Sequence, residues 1–447
     1  MNNTLEQIAA RLQGYDPQAM TADGVREFLA QLVTPVQDLL ELPLFEAFGR
    51  VLAADVISPF DVPPHDNSAM DGYAFAGAQL ATPAPLQLQV MGTALAGKAW
   101  QGTVQPGQCV KIMTGAVMPA GLDTVVPQEF VTLSRAGDID TITIPAGLLR
   151  TGDNRRLRGE DLMQGKPALL KGELLTPARL GLAASLGLET LSTWRPLRVA
   201  YFSTGDEILS LGEAPREGAV YDSNRYTVFG LLSRLGCQVI DMGVVRDEPA
   251  LLEAAFTQAA LRADAIITSG GVSVGEADYT KAMMKKLGDV AFWRIAMRPG
   301  RPMAAGRISS MKIALDAHGI STNSYQDDSE GAVLFGLPGN PVAVMVTFLA
   351  FVRPALLQMM GARPEPDVLL RARSLEAIRK KPGRTEYQRG RVATAPDGSL
   401  HVQITGSQGS GVLRSMAEAN GLIVLHHAQG NVAAGDEVDV MMFDGAI

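Results

Sequence analysis

The central third of the chain alternates short apolar runs with loops rich in carboxylates or glycine, and this alternation constrains the fold more than any other feature. The loops are Ser203-Thr204-Gly205-Asp206-Glu207, Tyr221-Asp222-Ser223-Asn224, Val245-Arg246-Asp247, Ser269 through Asp278, and Gly336 through Pro341. Each except the Tyr221 loop follows an apolar run, an order that reads as repeated strand-loop-helix units. Open α/β sheets bind ligands outside the carboxyl ends of their strands. The acidic side chains and glycine-rich backbone are therefore expected to converge on one crevice.

At 447 residues the chain exceeds what one hydrophobic core supports, so three or four domains are expected. A net charge of −8 argues against a general nucleic-acid surface while leaving room for a local basic pocket that holds an anion. Cys109 and Cys237 are too few for a disulfide framework and fit a reducing cytosol. The five histidines are scattered, so no zinc site is expected; His426 and His427 adjoin on what reads as a strand. Met1 to Met20 lacks a signal-peptide core, and the longest apolar run, Val342 to Val352, stops at Arg353, short of the roughly 20 residues of a membrane span. A soluble, cytoplasmic protein is expected.

The expected fold class is multidomain α/β. Val25, Phe28, Leu29, Leu32 and Val33 recur at helical spacing and open an extended, helical or mixed domain in two segments, 21–58 and 148–192. Between them, residues 59–147 read as an inserted β domain, with runs such as Leu86 to Val90 and Thr141 to Ile144. Residues 193–360 form the α/β domain, with strands near 198–202, 237–241, 264–268 and 333–335. Residues 361–447 return to β alternation, with a hairpin turn at Asp397-Gly398, and predict a small barrel or sandwich.

Asp206, Glu207, Asp222, Asp247 and Asp278 stand at strand ends. Two carboxylates about 5 Å apart repel by about 3 kcal/mol at an effective dielectric near 20, so several in one crevice call for a cation. Mg2+ suits hard oxygen ligands and bridges to substrate phosphates, which makes Asp206, Glu207, Asp247 and Asp278 candidate ligands; each acid taken alone also reads as a helix cap. Ser269, Gly270, Gly271, Ser273 and Gly275 bring unobstructed backbone N–H groups before a helix, suited to a phosphate or a pterin, or else form only a tight turn. The loop is neither a Walker loop nor a dinucleotide fingerprint. Arg294, Arg298 and Arg301 surround Pro299, which breaks any helix there; they are expected to emerge from a strand and turn beside the acids and to take an oxyanion, the alternative being a solvated face.

Taken together the chain resembles the MoeA family, the bacterial molybdopterin molybdenumtransferases, whose eukaryotic relatives include the E domain of gephyrin. The resemblance rests on Asp66 through Ala74, Met113-Thr114-Gly115-Ala116, Arg158-Gly159-Glu160-Asp161, Ser203 through Glu207, Ser269 through Lys281, and Gly336 through Val342. It implies a four-domain homodimer, with the two-segment domain dimerising and a cleft at the subunit interface. It also implies a reaction in which molybdate enters adenylylated molybdopterin with Mg2+-dependent release of AMP, giving molybdenum cofactor. Carried over by position, it marks Asp71, Thr114, Asp161, Glu207, Asp247 and Asp278 as catalytic. The glycine loop, Arg294, Arg298, Arg301, Pro338, Gly339, Asn340, Arg384 and Ser415 become substrate-binding positions. Docking to a molybdopterin adenylyltransferase or a molybdoenzyme is a further implied partnership.

Arg294 and Arg298 stand where many relatives carry Lys, Ala343 stands where Ser is frequent, and the link at 309–332 is longer than usual. Two other readings share the residues. One is an adenylyltransferase, which has the same Ser-Gly-Gly loop but no need of the flanking β domains. The other is a non-catalytic molybdopterin-binding scaffold, which would have no reason to keep mutually repelling carboxylates.

Overall fold

The computed structural model describes residues 3–272, 279–309, 312–315, 321–324 and 331–443. Ser273, Gly275 and Asp278 lie outside the described residues, as does most of the long 309–332 link. In that link the backbone of Lys312–Leu315 pairs antiparallel with Ser321–Ser324. The chain forms two compact units. One comprises Met1–Ala53, Gly172–Thr176 and Thr190–Ile447; the other comprises Ala54–Lys171 and Pro177–Glu189.

The first unit is built on a six-stranded sheet in the order Gln238–Val245, Arg198–Thr204, Ala265–Ser269, Gly331–Leu337, Pro302–Ser309, Gly288–Arg294. The first four strands are parallel and the last two join antiparallel. Ala265–Ser269 is buried at all five positions, as a parallel strand covered on both faces must be. Alternation along Arg198–Thr204 divides the core. Val199 and Tyr201 face helices Ser223–Arg234 and Pro341–Thr347, whereas Ala200 and Phe202 face helix Pro249–Arg262. There Phe202 meets Phe256 edge-on, with ring centroids 5.1 Å apart. At the sheet's edge Trp293 packs edge-on against Phe28 of helix Ala22–Leu32 at 4.8 Å, and its indole N–H donates to the Tyr15 hydroxyl at 3.2 Å.

At the amino ends of the parallel strands, Arg195 forms a two-pronged pair with Asp264 at 2.6 and 2.7 Å and also reaches Asp38. Asp264 accepts from the Arg198 N–H as well, at 2.8 Å. Burial pushes the Asp264 carboxyl up, but these donors outweigh it and hold it below the usual carboxylate range.

Sequence reading ended the apolar run at Val352. The helix instead continues through Arg353 to Met359, by way of a π turn at Phe348–Val352. Pro354 has no N–H to give the preceding turn, and the Arg26 Nε donates to the Ala350 carbonyl instead, at 3.2 Å. The 19-residue stretch Pro341–Met359 is long and apolar enough to cross a membrane by length and composition, but 72% of it is buried inside the fold, as in a core helix.

Residues 369–442 of this unit close into a five-stranded barrel. Around the ring run Thr385–Thr394, Leu400–Ile404, Leu369–Ser374, Glu437–Met442 and Gly421–Leu425, the last pairing back to the first. The ring gives each strand two neighbours within it, which settles the choice between barrel and sandwich. Asp397-Gly398 turns the first hairpin, with Gly398 at φ +85°. His426 and His427 follow the Gly421–Leu425 strand in a turn and are not on it.

The second unit holds its own six-stranded sheet, in the order Thr124–Pro127, Gly72–Phe75, Gln108–Ile112, Leu86–Ala94, Ile139–Ile144, Thr132–Ala136. Tyr73 and Phe75 point to one face with Leu88, Val126 and Ile142, and Ala74 points to the other with Val110, Ile112 and Val125. Cys109 is fully buried in this sheet, and burial pushes its thiol up to about 12, so it is an inert packing residue.

Candidate functional site

Beyond the carboxyl ends of the parallel strands in the first unit lies a cavity of about 670 Å3. Its walls differ in charge. Glu207 and Asp247, from the loops after Arg198–Thr204 and Gln238–Val245, supply one side; Arg298, Arg301 and Arg384 supply another. Gly270 and Gly271, together with Pro338, Gly339 and Asn340, complete it.

The acidic side is set by its loops. Gly205 has φ +140°, and a Cβ there would meet the Glu207 carboxylate at 2.6 Å, so glycine leaves room for that side chain to fold back. The Glu207 carboxylate has no basic partner among the described residues. Asp206 stands behind this wall: its Oδ1 accepts from the Asp247 N–H at 3.3 Å, and its carbonyl accepts from Arg216. Asp247 accepts from the Thr280 hydroxyl at 3.3 Å. Asp222 does not line the cavity; it is 4% exposed and caps helix Ser223–Arg234 through the Arg225 N–H at 3.1 Å. For this acid the capping alternative describes its contacts.

The glycine loop is a close-packed turn as well as an open backbone. Gly270 (φ +93°) leaves 2.5 Å between a hypothetical Cβ and the Thr204 carbonyl, and Gly271 (φ +65°) leaves 2.5 Å to Thr280. The Gly270 N–H donates to the Leu337 carbonyl at 3.1 Å, which ties this loop to the Pro338 turn. Ser269 does not reach the cavity: it is buried, and its hydroxyl bonds Tyr201 at 2.7 Å and Ser203 at 3.2 Å. This hydroxyl cluster ties together the ends of two neighbouring strands.

Arg298 and Arg301 bracket the Pro299-Gly300 turn, and neither has a carboxylate partner among the described residues. Short strand Met297–Arg298 pairs in parallel with Thr385-Glu386 of the barrel, which places Arg384 on the same wall. Arg294 is elsewhere. It ends the edge strand, exposed, and its backbone pairs with Pro17 and Met20. Ala343 lines the cavity, so its position bears directly on the ligand wall.

Arg389 belongs to none of the sequence motifs. This arginine is 1% exposed, and its Nε and Nη2 donate to the Ser415 hydroxyl and to the carbonyls of Ser407 and Gly409, at 2.9 to 3.0 Å. It holds the Gln408-Gly409-Ser410 loop against the cavity. Burial first, and the charge of Arg298 second, pull its guanidinium down to about 10, so it remains charged at neutral pH. Ser415 is buried as its partner and does not line the cavity. The only local sign was an arginine in an alternating strand, and its burial follows from barrel closure.

In the second unit, Asp71 accepts from both the backbone N–H and the hydroxyl of Thr114, each at 2.7 Å. These bonds hold its carboxyl below the usual range, the backbone donor contributing most. Asp161 sits in the same unit, its N–H bonded to the Val62 carbonyl at 3.1 Å.

Among the described residues no three acidic, His or Cys side chains gather closely enough to hold a metal by themselves. Mg2+ does not require this, since one or two carboxylates with substrate phosphates and water complete its shell. The Glu207 and Asp247 pair fits such an ion.

Residues 20–187 match the MoeA N-terminal region (domains I and II), residues 200–358 a probable molybdopterin binding domain, and residues 371–443 the MoeA C-terminal region (domain IV). A molybdopterin molybdenumtransferase of Haemophilus influenzae is 40% identical over 95% of this chain and 99% of its own length. One from a Nostoc species is 33% identical over 91% of this chain and 89% of its own. The crystal structure of a molybdopterin biosynthesis MoeA protein from Pyrococcus horikoshii superposes with a TM-score of 0.76 at 25% identity, covering 95% of this chain and all of that one. Three consecutive regional matches and full-length relatives agree with the fold and the loop motifs: the chain belongs to the MoeA family.

Proposed function

We propose that this chain is a molybdopterin molybdenumtransferase, which inserts molybdate into adenylylated molybdopterin with Mg2+-dependent release of AMP and so forms molybdenum cofactor. The observation that carries the reading is the two-signed cavity, with carboxylates and arginines facing one volume beside a glycine loop. A substrate that joins a pyrophosphate to a site for a second oxyanion needs both signs of charge within one pocket.

Glu207 and Asp247, joined by Asp278 on the family resemblance, would hold the ion, and Asp206 would orient Asp247. When bound, Mg2+ would neutralise charge on the pyrophosphate oxygens as AMP departs. Gly270 and Gly271 line the cavity in a turn packed against Thr204 and Thr280, and Pro338, Gly339 and Asn340 line it beside them. Arg298, Arg301 and Arg384 take up molybdate through forked N–H donors, and Arg298 keeps charge where many relatives have lysine. Asp71, Thr114 and Asp161 belong to the reaction by the family resemblance; the 2.7 Å bonds from Thr114 keep Asp71 ionised and fixed. The working form is a cytoplasmic homodimer.

The experiment is AMP release from adenylylated molybdopterin by the purified protein, with molybdate and Mg2+ each added or omitted. Release that needs both, with active cofactor recovered, is the expected result. Consumption of ATP to adenylylate molybdopterin would favour the adenylyltransferase reading, and binding without release under every condition would favour a scaffold.

A further inference from the structure

We infer that Glu386 is a positioning residue of the oxyanion wall, fixing the Arg384 guanidinium so that its remaining N–H donors face the cavity. This rests on the assignment of molybdate to that wall and adds a residue that neither the motifs nor the cavity lining reveals.

Glu386 is 1% exposed, and a carboxylate so buried is stable only when paired. Its Oε1 accepts from Arg384 Nε at 2.7 Å and lies 2.7 Å from Nη2 as an ion pair, and among the described residues its Oε2 accepts a long bond from Gln388 at 3.4 Å. Arg384 has five N–H donors. The Nε bond and the Nη2 contact with Glu386 fix the plane of the fork and leave the Nη1 donors for a ligand. The Arg384 side chain is 38% exposed and lines the cavity, so the buried carboxylate acts on the site through it.

The backbone adds a second constraint. Glu386 pairs in register with Arg298, and the Thr385 N–H donates to the Ala296 carbonyl at 2.9 Å. The start of one barrel strand therefore sets the spacing between Arg298, which has no carboxylate partner among the described residues, and Arg384, whose fork is fixed. A tetrahedral oxyanion is held between these two cations.

The test is a set of full-length variants read by calorimetric titration with molybdate, and with inorganic phosphate as a second probe, alongside KM for molybdate and kcat in the AMP-release assay. Glu386→Ala is expected to weaken molybdate binding about tenfold while kcat stays within about twofold, because the fork is loosened and the reacting atoms are untouched. Glu386→Gln keeps an acceptor for Arg384 and is expected to stay within about threefold. Glu386→Asp keeps the charge but shortens the arm, and is expected to weaken molybdate binding as Glu386→Ala does, with a lowered melting temperature because the buried carboxylate loses its partner. Arg384→Ala combined with Glu386→Ala is expected to bind no more weakly than Arg384→Ala alone. Additive losses, a Glu386→Asp variant that binds like wild type, or a wild-type protein that binds neither oxyanion would overturn the inference. Oxyanion binding that follows the expected cycle in a protein releasing no AMP would sink the proposed reaction and leave the role of Glu386 standing.

Discussion

Replacing Gly270 with alanine tests the cavity geometry at its tightest point. The residue has φ +93°, a left-handed conformation that costs an L-amino acid about 1–2 kcal/mol. Its added Cβ would also lie 2.5 Å from the Thr204 carbonyl and 2.9 Å from the Thr204 hydroxyl. Backbone cannot swing aside as a side-chain tip can, so ordinary contact requires the two loops to part by roughly 1 Å. Those loops carry Glu207 on one side and the ligand cradle on the other, and a misplacement of about 1 Å costs catalysis on the order of 100-fold, or about 2.7 kcal/mol in the barrier. A matched control exists in Gly212, which has φ +92° and open space around its Cβ position. Gly212→Ala shares the conformational cost and lacks the crowding. Melting temperatures and steady-state AMP release for both variants separate the two effects: both are expected to lose some stability, and only Gly270→Ala to lose about two orders of magnitude in kcat/KM. Equal activity in the two variants would refute the argument that close packing of the loops shapes the site.

Glu207→Gln and Asp247→Asn are expected to lose Mg2+-dependent AMP release by at least about 100-fold with little change in melting temperature, measured across a Mg2+ titration; Asp278→Asn is expected to do the same. Asp264 should mark the acid limit of stability. Its folded pKa is depressed, so its contribution is full above its unfolded value of about 3.9 and disappears as pH falls through the folded one; denaturant midpoints between about pH 5 and pH 2 should fall more steeply for wild type than for Asp264→Asn, which is already destabilised at neutral pH. Phe256→Ala removes the edge-on partner of Phe202 from a fully buried site and should cost about 3–5 kcal/mol in urea unfolding, with Arg384-dependent oxyanion binding unchanged below the transition.

The parts of the fold legible in the sequence are those whose burial is continuous or whose turns have distinctive chemistry. Ala265–Ser269 reads as a buried strand because every position is small or apolar, and Asp397-Gly398 reads as a turn because the positive φ at Gly398 demands it. Gly288–Arg294 and Pro302–Ser309 were harder to see. Their apolar residues are interrupted by Gly, Pro and Arg, and they become strands by pairing with each other and with Gly331–Leu337, a long-range event with no local signature. The candidate site follows the same division. Glu207, Asp247, Gly270, Gly271, Arg298, Arg301 and Arg384 stand on loops or beside turns whose composition is itself the signal, and they meet around one cavity. Ser269 and Ser415 share that composition but face inward, a direction fixed by strand alternation and barrel closure. Arg389 and Glu386 gain their roles from burial alone, which no short stretch of sequence records.

The closed ring of the barrel also limits how another macromolecule can engage this end of the chain. Each of its five strands pairs with two others in the ring, and the start of Thr385–Thr394 also takes Met297–Arg298 from the same chain. Strand addition, a common way for an extended peptide to join a sheet, is thus already used at this edge by the chain itself. The rest of the ring presents side chains and the loops between strands. Those positions can change while the hydrogen-bonded cylinder beneath them stays the same, without disturbing the strand that carries Glu386 behind Arg384.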